Sequence, residues 1–282
     1  MSDRRLAVAA ITFDFGNTLV PVGHGGSRSV LSATADALLD ARLISDAAAF
    51  QAAWVEERDR QFREDVPELR EVDVPQRAVR VLARLRGMHA PGPQDRWDDT
   101  VAGRLATPDE AELIVDSYSR AFVGGARPVD DAYRTLEELA GRGFRLAILS
   151  NWPVARSIDR VAEAEGWMPF LHAVVVSQRV GTIKPHPGLF RAAEAALGMA
   201  HAPDAILHVG DDWAADVVGA RGAGWRVAYL RNRQADTPLP TSKRGEALLG
   251  GEAVAPDLEI DELSELSARV VLAQATRAAA HT

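Results

Sequence analysis

Five short apolar runs constrain the fold of this chain more strongly than any other feature of its sequence. They cover residues 6–13, 144–149, 173–176, 205–209 and 226–230. Apolar residues follow one another in each run instead of alternating with polar ones, which is typical of strands buried on both faces of a parallel sheet. Helical patterns lie before or between the later runs, at residues 133–140, 187–197 and 214–222. The alternation predicts an α/β fold with a doubly wound parallel sheet and right-handed crossovers.

A long helical segment interrupts this alternation after the first run. Patterns typical of helices cover residues 28–43, 47–65, 76–85 and 109–122. We therefore predict an α/β core domain formed by residues 1–21 and 128–282, and an inserted helical domain formed by residues 22–127. Glycine-containing stretches at residues 22–26 and 123–128 are the expected hinges between the two domains.

The C-terminal part of the chain returns to shorter elements. Residues 234–256 contain three prolines and a Gly-Gly pair, which predicts a surface loop. Residues 257–260 indicate a last strand at the edge of the sheet, and residues 262–276 have the pattern of a helix.

The composition excludes several classes of protein. The 282 residues carry a net charge of −8, which argues against a nucleic-acid-binding face. The chain has no cysteine, so disulfides, thiolate metal sites and cysteine nucleophiles are all excluded. No apolar stretch is long enough for a membrane span, and the first residues do not resemble a signal peptide. We therefore expect a cytoplasmic protein that contacts neither nucleic acid nor membrane.

Polar and charged side chains follow the predicted strands where those strands end. In doubly wound sheets, ligands bind beyond the carboxyl ends of the strands. The residues in question are Asp14 and Thr18 after the first run, Ser150 and Asn151 after the second, Lys184 after the third, and Asp211, Asp212 and Asp216 after the fourth. Carboxylates, hydroxyl groups and one ammonium group should therefore meet at one edge of the sheet.

Lys184 is unusual because the chain otherwise uses arginine as its basic residue. The 32 lysines and arginines include only two lysines, Lys184 and Lys243, which leaves 30 arginines. A compact ammonium group is not interchangeable with a planar guanidinium group where it must neutralise a carboxylate and a phosphoryl oxygen together. We therefore expect Lys184 to face an anion, and Asp14 is the best candidate.

Such an edge is suited to phosphoryl transfer. A carboxylate such as Asp14 can attack phosphorus and form an aspartyl phosphate, which divides one difficult step into two easier ones. Mg²⁺ would offset the repulsion between carboxylate and phosphate, because it prefers oxygen ligands such as Asp14, Asp211 and a backbone carbonyl. Ser150 and the backbone at Asn151 could hold phosphoryl oxygens, while Lys184 neutralises charge.

The order of these residues resembles the four motifs of the haloacid dehalogenase (HAD) superfamily. The subgroup it resembles has a helical cap inserted after the first strand. The matching motifs are Asp14-x-x-x-Thr18, Ser150-Asn151, Lys184-Pro185 and Gly210-Asp211 with Asp216. The resemblance spans residues 6 to about 267 and implies a Rossmann-like core with an inserted cap domain. It is specific for the superfamily and says little about the substrate.

The resemblance also implies a role for each matching residue. Asp14 would be the nucleophile and a metal ligand, and the backbone carbonyl of Gly16 and the carboxylate of Asp211 would be further ligands of Mg²⁺. The phosphate-binding groups would be Ser150, Asn151 and Lys184. Thr18 would support the first loop, and Asp212 and Asp216 would lie just outside the metal ligands. Lys184 would also stabilise the phosphoryl group during the reaction.

Gly16 is the important departure from the family pattern. Phosphatases of the family usually carry an aspartate two residues after the nucleophile, where it acts as general acid and then as general base. General acid–base catalysis typically contributes about 10²–10⁴-fold. Three replacements are conceivable: His24, a water molecule held by Asn17, or a substrate whose leaving group needs little protonation, such as an anomeric or acyl phosphate.

Two other functions remain as alternatives. A 2-haloacid dehalogenase would use the same aspartate without metal, but the acidic stretch Asp211-Asp212 would face its anionic substrate. Dehalogenases of the family also tend to carry a tyrosine six residues after the motif lysine, where this chain has Phe190. A non-catalytic HAD-fold binding protein is the second alternative, and the absence of an acid at Gly16 is its only support.

The sequence therefore predicts a Mg²⁺-dependent phosphatase that acts on a small phosphorylated metabolite, as a monomer or homodimer. The helical cap would close over the site during the first step. Arginines of the predicted helical domain could contact an anionic substrate, but for most of them a solvated helix face is the preferred interpretation. These arginines are Arg58, Arg60, Arg63, Arg80, Arg84 and Arg86.

Overall fold

The computed structural model describes residues 5–92, 97–231, 237–240, 248–249 and 252–273. The strands in this part of the chain are β1 (Leu6–Val8), β2 (Ala10–Phe13), β3 (Arg145–Ser150), β4 (Leu171–Val176), β5 (Ile206–Gly210), β6 (Arg226–Leu230), β7 (Leu248–Leu249), β8 (Glu252–Ala253), β9 (Leu258–Ile260) and β10 (Val270–Leu272). The helices are α1 (His24–Asp40), α2 (Ala47–Asp65), α3 (Val74–Leu85), α4 (Asp99–Leu105), α5 (Pro108–Gly125), α6 (Ala132–Gly141), α7 (Ala155–Ala164), α8 (Ser177–Val180), α9 (Pro187–Leu197), α10 (Gly219–Gly222) and α11 (Leu266–Arg269).

Six of the described strands form one parallel sheet in the order β4-β3-β2-β5-β6-β9. Strand β2 lies in the middle, and all of its residues are buried because strands flank it on both sides and helices cover both faces. The sheet confirms the predicted α/β fold. Each predicted run overlaps a strand, and β9 forms the predicted edge strand beside β6.

The first predicted strand is in fact two strands. Ala9 interrupts the run, and β1 leaves the main sheet to pair in parallel with β10. The predicted helix at residues 262–276 is helical at residues 263–269, as a short 3₁₀ helix followed by α11, and wrong at residues 270–272. Helix α11 ends at Arg269, and the chain continues as β10 because Val270 and Val271 are β-branched and pair with Leu6 and Ala7.

A group of helices lies between β2 and α6, as the sequence predicts. We call residues 24–125 the helical insert. Within it, α1 packs against α5 and α2 packs against α3. An aromatic contact joins the two pairs, because the ring centroid of Trp54 on α2 lies 5.3 Å from that of Tyr118 on α5; within α2, Trp54 also lies 5.7 Å from Phe50. The division of the chain into two domains at residues 22–127 stays a prediction.

The glycine-containing stretches predicted as hinges lie at helix ends: Gly25 and Gly26 are in the first turn of α1, and Gly124 and Gly125 are in the last turn of α5. Their role as hinges stays a prediction. Backbone hydrogen bonds continue through both ends, so glycine does not interrupt either helix. Helix α4 was not predicted, because its seven residues are too few to show a clear period.

Two other segments place residues near the carboxyl edge of the sheet. The helix predicted at residues 214–222 begins as a π-helix, Trp213–Val218, and continues as α10. Residues 237–240 of the predicted 234–256 loop also reach this edge, whereas residues 234–236, 241–247 and 250–251 of that loop lie outside the described residues.

The helical insert contacts the core through a short backbone pairing. Arg70 forms an antiparallel bridge with Thr182, Glu71 N donates to Gly181 O over 3.1 Å, and Ile183 N donates to Leu69 O over 3.1 Å. This pairing connects the insert to the loop that leads into Lys184. Across the described residues, no helix combines the length and the apolar character needed to cross a membrane.

Candidate active site

The side chains at the strand ends converge on Lys184, as the sequence predicts. Lys184 is only 2% exposed, and its Nζ lies 3.0 Å from Asp14 Oδ1 and 2.6 Å from Asp216 Oδ1. Nζ also donates a hydrogen bond to the carbonyl oxygen of Leu149 over 2.9 Å. Burial disfavours the ammonium group, but Asp14 and Asp216 more than offset it, so the pKa of Lys184 is raised above its ordinary value. The lysine is therefore charged and fixed between two carboxylates.

Asn151 fixes the backbone of this lysine. Its Oδ1 accepts a hydrogen bond from Lys184 N over 2.6 Å, and its Nδ2 donates to Lys184 O over 3.1 Å. The side chain of Asn151 is therefore occupied by the lysine loop. Its predicted part in phosphate binding concerns the backbone only, and it stays a prediction.

Asp216 is held by donors at both oxygens. Its Oδ1 faces Lys184 and lies 3.0 Å from His208 Nε2, and its Oδ2 accepts a hydrogen bond from Asp212 N over 2.9 Å. His208 is fully buried and pairs through Nδ1 with the hydroxyl of Thr12 at 2.8 Å. Burial raises the pKa of Asp216, but Lys184 and His208 outweigh it, so the pKa lies well below its usual range.

The approach of Asp216 to the strand end requires a glycine at position 210. A Cβ atom built on Gly210 would lie 2.2 Å from Asp216 Cγ and Oδ2, which no real structure tolerates. The glycine of the fourth motif is therefore needed because the carboxylate occupies the space of a side chain.

Thr18 and Asp212 support the loops around the site. The hydroxyl of Thr18 donates to Asp211 Oδ1 over 3.0 Å, which connects the first and fourth motifs. Asp212 Oδ1 accepts a hydrogen bond from Ala215 N over 2.7 Å and so caps the π-helix that carries Asp216. These positions fit the supporting roles that the family resemblance implies.

Three carboxylates at this edge fit a divalent cation. Asp14, Asp211 and Asp216 each offer one oxygen within 4.8 Å of the others. With Lys184 included, the formal charge of the group is −3 + 1 = −2, which matches one Mg²⁺. Asp216 already accepts protein donors at both oxygens, so Asp14 and Asp211 are the better ligands. This all-oxygen set suits Mg²⁺.

The electrostatics of Asp14 are consistent with a nearby cation. Burial raises the pKa of Asp14, Lys184 opposes this change, and Asp216 adds to it. The hydroxyl of Ser150 lies close enough to Asp14 to lower the same pKa, and it is buried without another hydrogen-bond partner among the described residues. A cation at the site would favour the ionised, nucleophilic carboxylate.

The space beside Gly16, where the usual general acid would stand, is apolar. A Cβ atom on Gly16 would lie 3.0 Å from a methyl carbon of Leu239, 3.4 Å from the ring of Trp152 and 3.8 Å from Val22. Leu239 belongs to the predicted 234–256 loop, whose position relative to the site could not be predicted from the sequence. Aliphatic and aromatic groups therefore occupy the place of the missing acid.

The structure does not support His24 as a replacement acid. His24 is exposed at the start of α1 and does not line the cavity described below. The side chain of Asn17 is occupied at both ends, since Oδ1 accepts from Val22 N over 3.0 Å and Nδ2 donates to Thr237 Oγ1 over 3.2 Å. A leaving group that needs little protonation is the replacement that remains.

A cavity of about 930 Å³ lies between the helical insert and this edge of the sheet. Asp14, Lys184 and Asp211 line it. The walls are mainly apolar and aromatic, and the lining residues from the insert include Trp54, Phe62, Val66, Leu69, Tyr118 and Phe122. Two arginines of the insert, Arg58 and Arg77, also line the cavity.

Four of the six arginines that the sequence singled out pair with carboxylates of the insert. Arg58 pairs with Asp59, Arg60 with Glu57 and Glu64, Arg84 with Glu56, and Arg86 with Glu110. Of the named set, Arg58 is the member found in the described wall of the cavity. The surface interpretation is therefore correct for these ion-paired arginines.

Sequence reasoning missed several residues that the fold brings to the site. They are His208, Glu71, Arg77 and Leu239. The position of His208 within an apolar run was a usable signal, because a polar side chain inside a buried strand needs a partner. Nothing in the sequence pattern distinguishes Arg77 from the other arginines of the insert.

Glu71 is a buried carboxyl group at the boundary between insert and core. Its Oε1 accepts a hydrogen bond from Val72 N over 2.8 Å, and its Oε2 accepts one from the hydroxyl of Ser177. Burial raises its pKa, and the donors, together with the nearby Arg77, only partly oppose this. Glu71 therefore connects the insert to the start of α8.

This shift predicts a pH-dependent effect of the substitution Glu71→Gln. A raised pKa means that the folded state binds the proton more tightly, so the contribution of Glu71 to stability is full below the ordinary value of 4.5 and falls as pH rises through the raised pKa. We expect the melting temperature of Glu71→Gln, relative to the parent, to increase from pH 4 to pH 8. Glu112→Gln is the matched control, because Arg156 holds the pKa of Glu112 below its ordinary value and the trend should reverse. Parallel pH trends for both variants would contradict the assignment.

The chain belongs to the family of haloacid dehalogenase-like hydrolases, whose sequence pattern matches residues 8–224. This match confirms the predicted superfamily and the prediction of a hydrolase. Solved structures of the family share the fold. One is a 2-haloacid dehalogenase from Pseudomonas syringae pv. Tomato, with a TM-score of 0.61, 22% identity and coverage of 92% of this chain and 96% of that chain. Another is a HAD-hydrolase from Bacillus subtilis bound to magnesium, with a TM-score of 0.56, 19% identity and coverage of 93% and 97%.

Curated relatives are similar over part of the chain. A glyceraldehyde 3-phosphate phosphatase from Methanopyrus kandleri is 27% identical over 174 residues, which are 61% of this chain and 70% of the relative. A ribulose-1,5-bisphosphate 5-phosphatase from Halopiger xanaduensis is 30% identical over 161 residues, which are 57% of this chain and 64% of the relative. The chain thus spans less than two thirds of the length of the second relative.

Proposed function

We propose that the chain is a Mg²⁺-dependent phosphatase that hydrolyses a small phosphorylated metabolite through a phospho-aspartate at Asp14. The observation that carries this proposal is the buried ammonium group of Lys184, 3.0 Å from Asp14 and 2.6 Å from Asp216. A carboxylate beside a fixed cation, at the open edge of the sheet, is suited to attack an anionic phosphoryl group. The names of relatives, which are phosphatases of glyceraldehyde 3-phosphate, ribulose bisphosphate and phosphoserine, support this class of reaction.

The residues divide the work of the two steps. An oxygen of Asp14 attacks phosphorus, and the bond between phosphorus and the leaving oxygen breaks. Water then attacks the phosphorus of the phospho-aspartate, which restores Asp14 and releases inorganic phosphate. Lys184 and the hydroxyl of Ser150 lie where they would bind phosphoryl oxygens. Mg²⁺ held by Asp14, Asp211 and the backbone of Gly16 would neutralise charge on the phosphoryl group.

Among the described residues, the atoms nearest to the place of the usual proton donor belong to apolar side chains. The apolar groups beside Gly16 include Leu239 and Trp152, which neither donate nor accept protons there. The enzyme should therefore favour substrates whose leaving oxygen is a weak base, such as anomeric or acyl phosphates. The helical insert would close over the cavity and exclude water during the first step.

The first experiment measures phosphate release, with and without Mg²⁺, from a panel of sugar, nucleotide, acyl and aryl phosphates. The Asp14→Asn variant is the control, because the amide has the shape of the carboxylate but is not an effective nucleophile. We expect release that requires both Mg²⁺ and Asp14. Halide release from 2-chloropropionate, measured in parallel, would indicate a dehalogenase instead. Mg²⁺ binding by calorimetry without release from any compound would support the non-catalytic alternative.

A further inference from the structure

Arg77 is a buried arginine in the wall of the cavity, on the insert side. It lies on α3 and is only 4% exposed, yet it lines the same cavity as Asp14 and Lys184. Its Nε donates to Gln61 Oε1 over 2.8 Å, and Gln61 Nε2 in turn donates to Asp73 O over 2.7 Å. The plane of the guanidinium group is therefore fixed from one edge.

The terminal nitrogens of Arg77 differ from those of the ion-paired arginines of the insert. Arg60, Arg84 and Arg86 each pair with a carboxylate on the helix surface. Among the residues that the structure describes, no aspartate or glutamate forms an ion pair with Arg77, and its terminal nitrogens make no hydrogen bond. The ring of Trp54 supports one face of the group, with its centroid 5.1 Å from Cζ.

Burying a cation that forms no ion pair is energetically unfavourable. Removing an unpaired charge from water costs several kcal/mol even after relaxation of the protein. Burial lowers the pKa of Arg77 to about 10, with Tyr118 and Glu71 acting in the opposite direction, so the group is still charged at neutral pH. No described carboxylate contacts the guanidinium group as an ion pair, although Glu71 acts on its charge from nearby, and the cavity gives an anion access to the terminal nitrogens.

We propose that Arg77 binds a second anionic group of the substrate, either a carboxylate or a second phosphate, at the part of the cavity wall that the insert forms. The planar guanidinium group forms paired hydrogen bonds to both kinds of oxyanion. Arg58 also lines the cavity, but its guanidinium group pairs with Asp59 over 2.8 Å, so Arg77 is the arginine that carries the proposal. The substrate class is therefore a small phosphomonoester with a second oxyanion. The kinetic test of this inference depends on the proposed phosphatase function, whereas the binding test is independent of it.

The kinetic test compares compounds that differ by one anionic group. One pair is 3-phosphoglycerate and glycerol 3-phosphate, and the other is fructose 1,6-bisphosphate and fructose 6-phosphate. We expect the parent to prefer the doubly anionic member of at least one pair, which also distinguishes carboxylate from phosphate. Arg77→Met should lower kcat/KM for that member by about 10-fold to 100-fold, the range for a hydrogen bond to a charged group. It should leave the singly phosphorylated member within about 3-fold of the parent, and Arg77→Lys should retain part of the preference.

Arg80→Met is the matched control. Arg80 lies on the same helix, is 7% exposed and has its Cζ 4.6 Å from the ring centroid of Trp97, but it does not line the cavity. We expect this variant to keep the preference of the parent for the second anion. Equal losses of kcat/KM for both members of a pair in Arg77→Met, with a lowered melting temperature, would mean that Arg77 is only structural and would overturn the inference.

Calorimetric binding separates this inference from the proposed function. Asp14→Asn and the double variant Asp14→Asn/Arg77→Met are titrated with both members of each pair, so that turnover plays no part. Tighter binding of the doubly anionic member, lost in the double variant, supports the Arg77 site even if the parent releases no phosphate from any compound. Equal affinity for both members, or affinity that does not depend on Arg77, would refute it.

Discussion

Replacing Lys184 by methionine is expected to slow phosphate release by about 10²–10³-fold and to lower the free energy of unfolding by about 3–5 kcal/mol. The ammonium group is buried and faces Asp14 and Asp216, so its removal leaves two buried carboxylates without their cation. The same removal deprives the phosphoryl group of its charge partner, and losing one preorganised donor of this kind typically costs about 10²–10³-fold in rate. Urea unfolding and single-turnover phosphate release measure the two effects separately.

Two further variants identify the cause of the loss. Lys184→Arg keeps the charge but not the compact shape, so we expect a smaller loss of stability with activity still greatly reduced. Adding Asp216→Asn to Lys184→Met removes one of the stranded charges, and the double variant should be more stable than Lys184→Met alone. A Lys184→Met protein that unfolds like the parent would contradict the structural role assigned to this lysine.

Introducing an aspartate at Gly16 is expected to raise the rate for alkyl phosphates by about 10²–10⁴-fold, the usual contribution of a general acid. The nearest obstacle to the new side chain is a methyl group of Leu239 at 3.0 Å, so the substitution is best made together with Leu239→Ala. Aryl phosphates should gain far less, because their leaving oxygen departs without a proton. The parent should therefore show a steep dependence of rate on leaving-group pKa, and Gly16→Asp/Leu239→Ala a shallow one.

The controls for this prediction are Leu239→Ala alone and Gly16→Asn/Leu239→Ala. The asparagine has almost the size of aspartate but cannot act as an acid, so it should not raise the rate. Single-turnover measurements report the rate of the first chemical step even when hydrolysis of the phospho-aspartate limits turnover. A flat dependence on leaving-group pKa in the parent under these conditions would mean that another group supplies the proton.

The sheet and its strand ends were predictable from the sequence because local patterns determine them. Strand β6 and helix α9 have the predicted bounds, since each is a short periodic run between clear turn residues. The meeting of Asp14 with Lys184 was predictable for the same reason, because parallel strands place their carboxyl ends at one edge. A side chain that follows a strand directly is thereby located without any knowledge of the rest of the fold.

The remaining features depend on contacts between distant segments. Val270 and Val271 continue a helical pattern by sequence, but pairing with β1, more than 260 residues away in the chain, makes them a strand. The position of Leu239 over Gly16 and that of Arg77 at the cavity depend on how a loop and a helix pack against the core. Helix propensity and charge pattern contain no information about such packing.

Natural variants at Gly210 and at Asp216 should have the same effect on the site. Since a side chain at position 210 and the carboxylate of Asp216 cannot share the same volume, a change at Gly210 displaces the group that anchors Lys184. The variant enzyme would resemble one that lacks Asp216, although position 210 itself has no side chain to donate, accept or ligate. A harmful exchange of glycine for alanine here would thus reflect a steric conflict with a neighbour and not a change in backbone freedom.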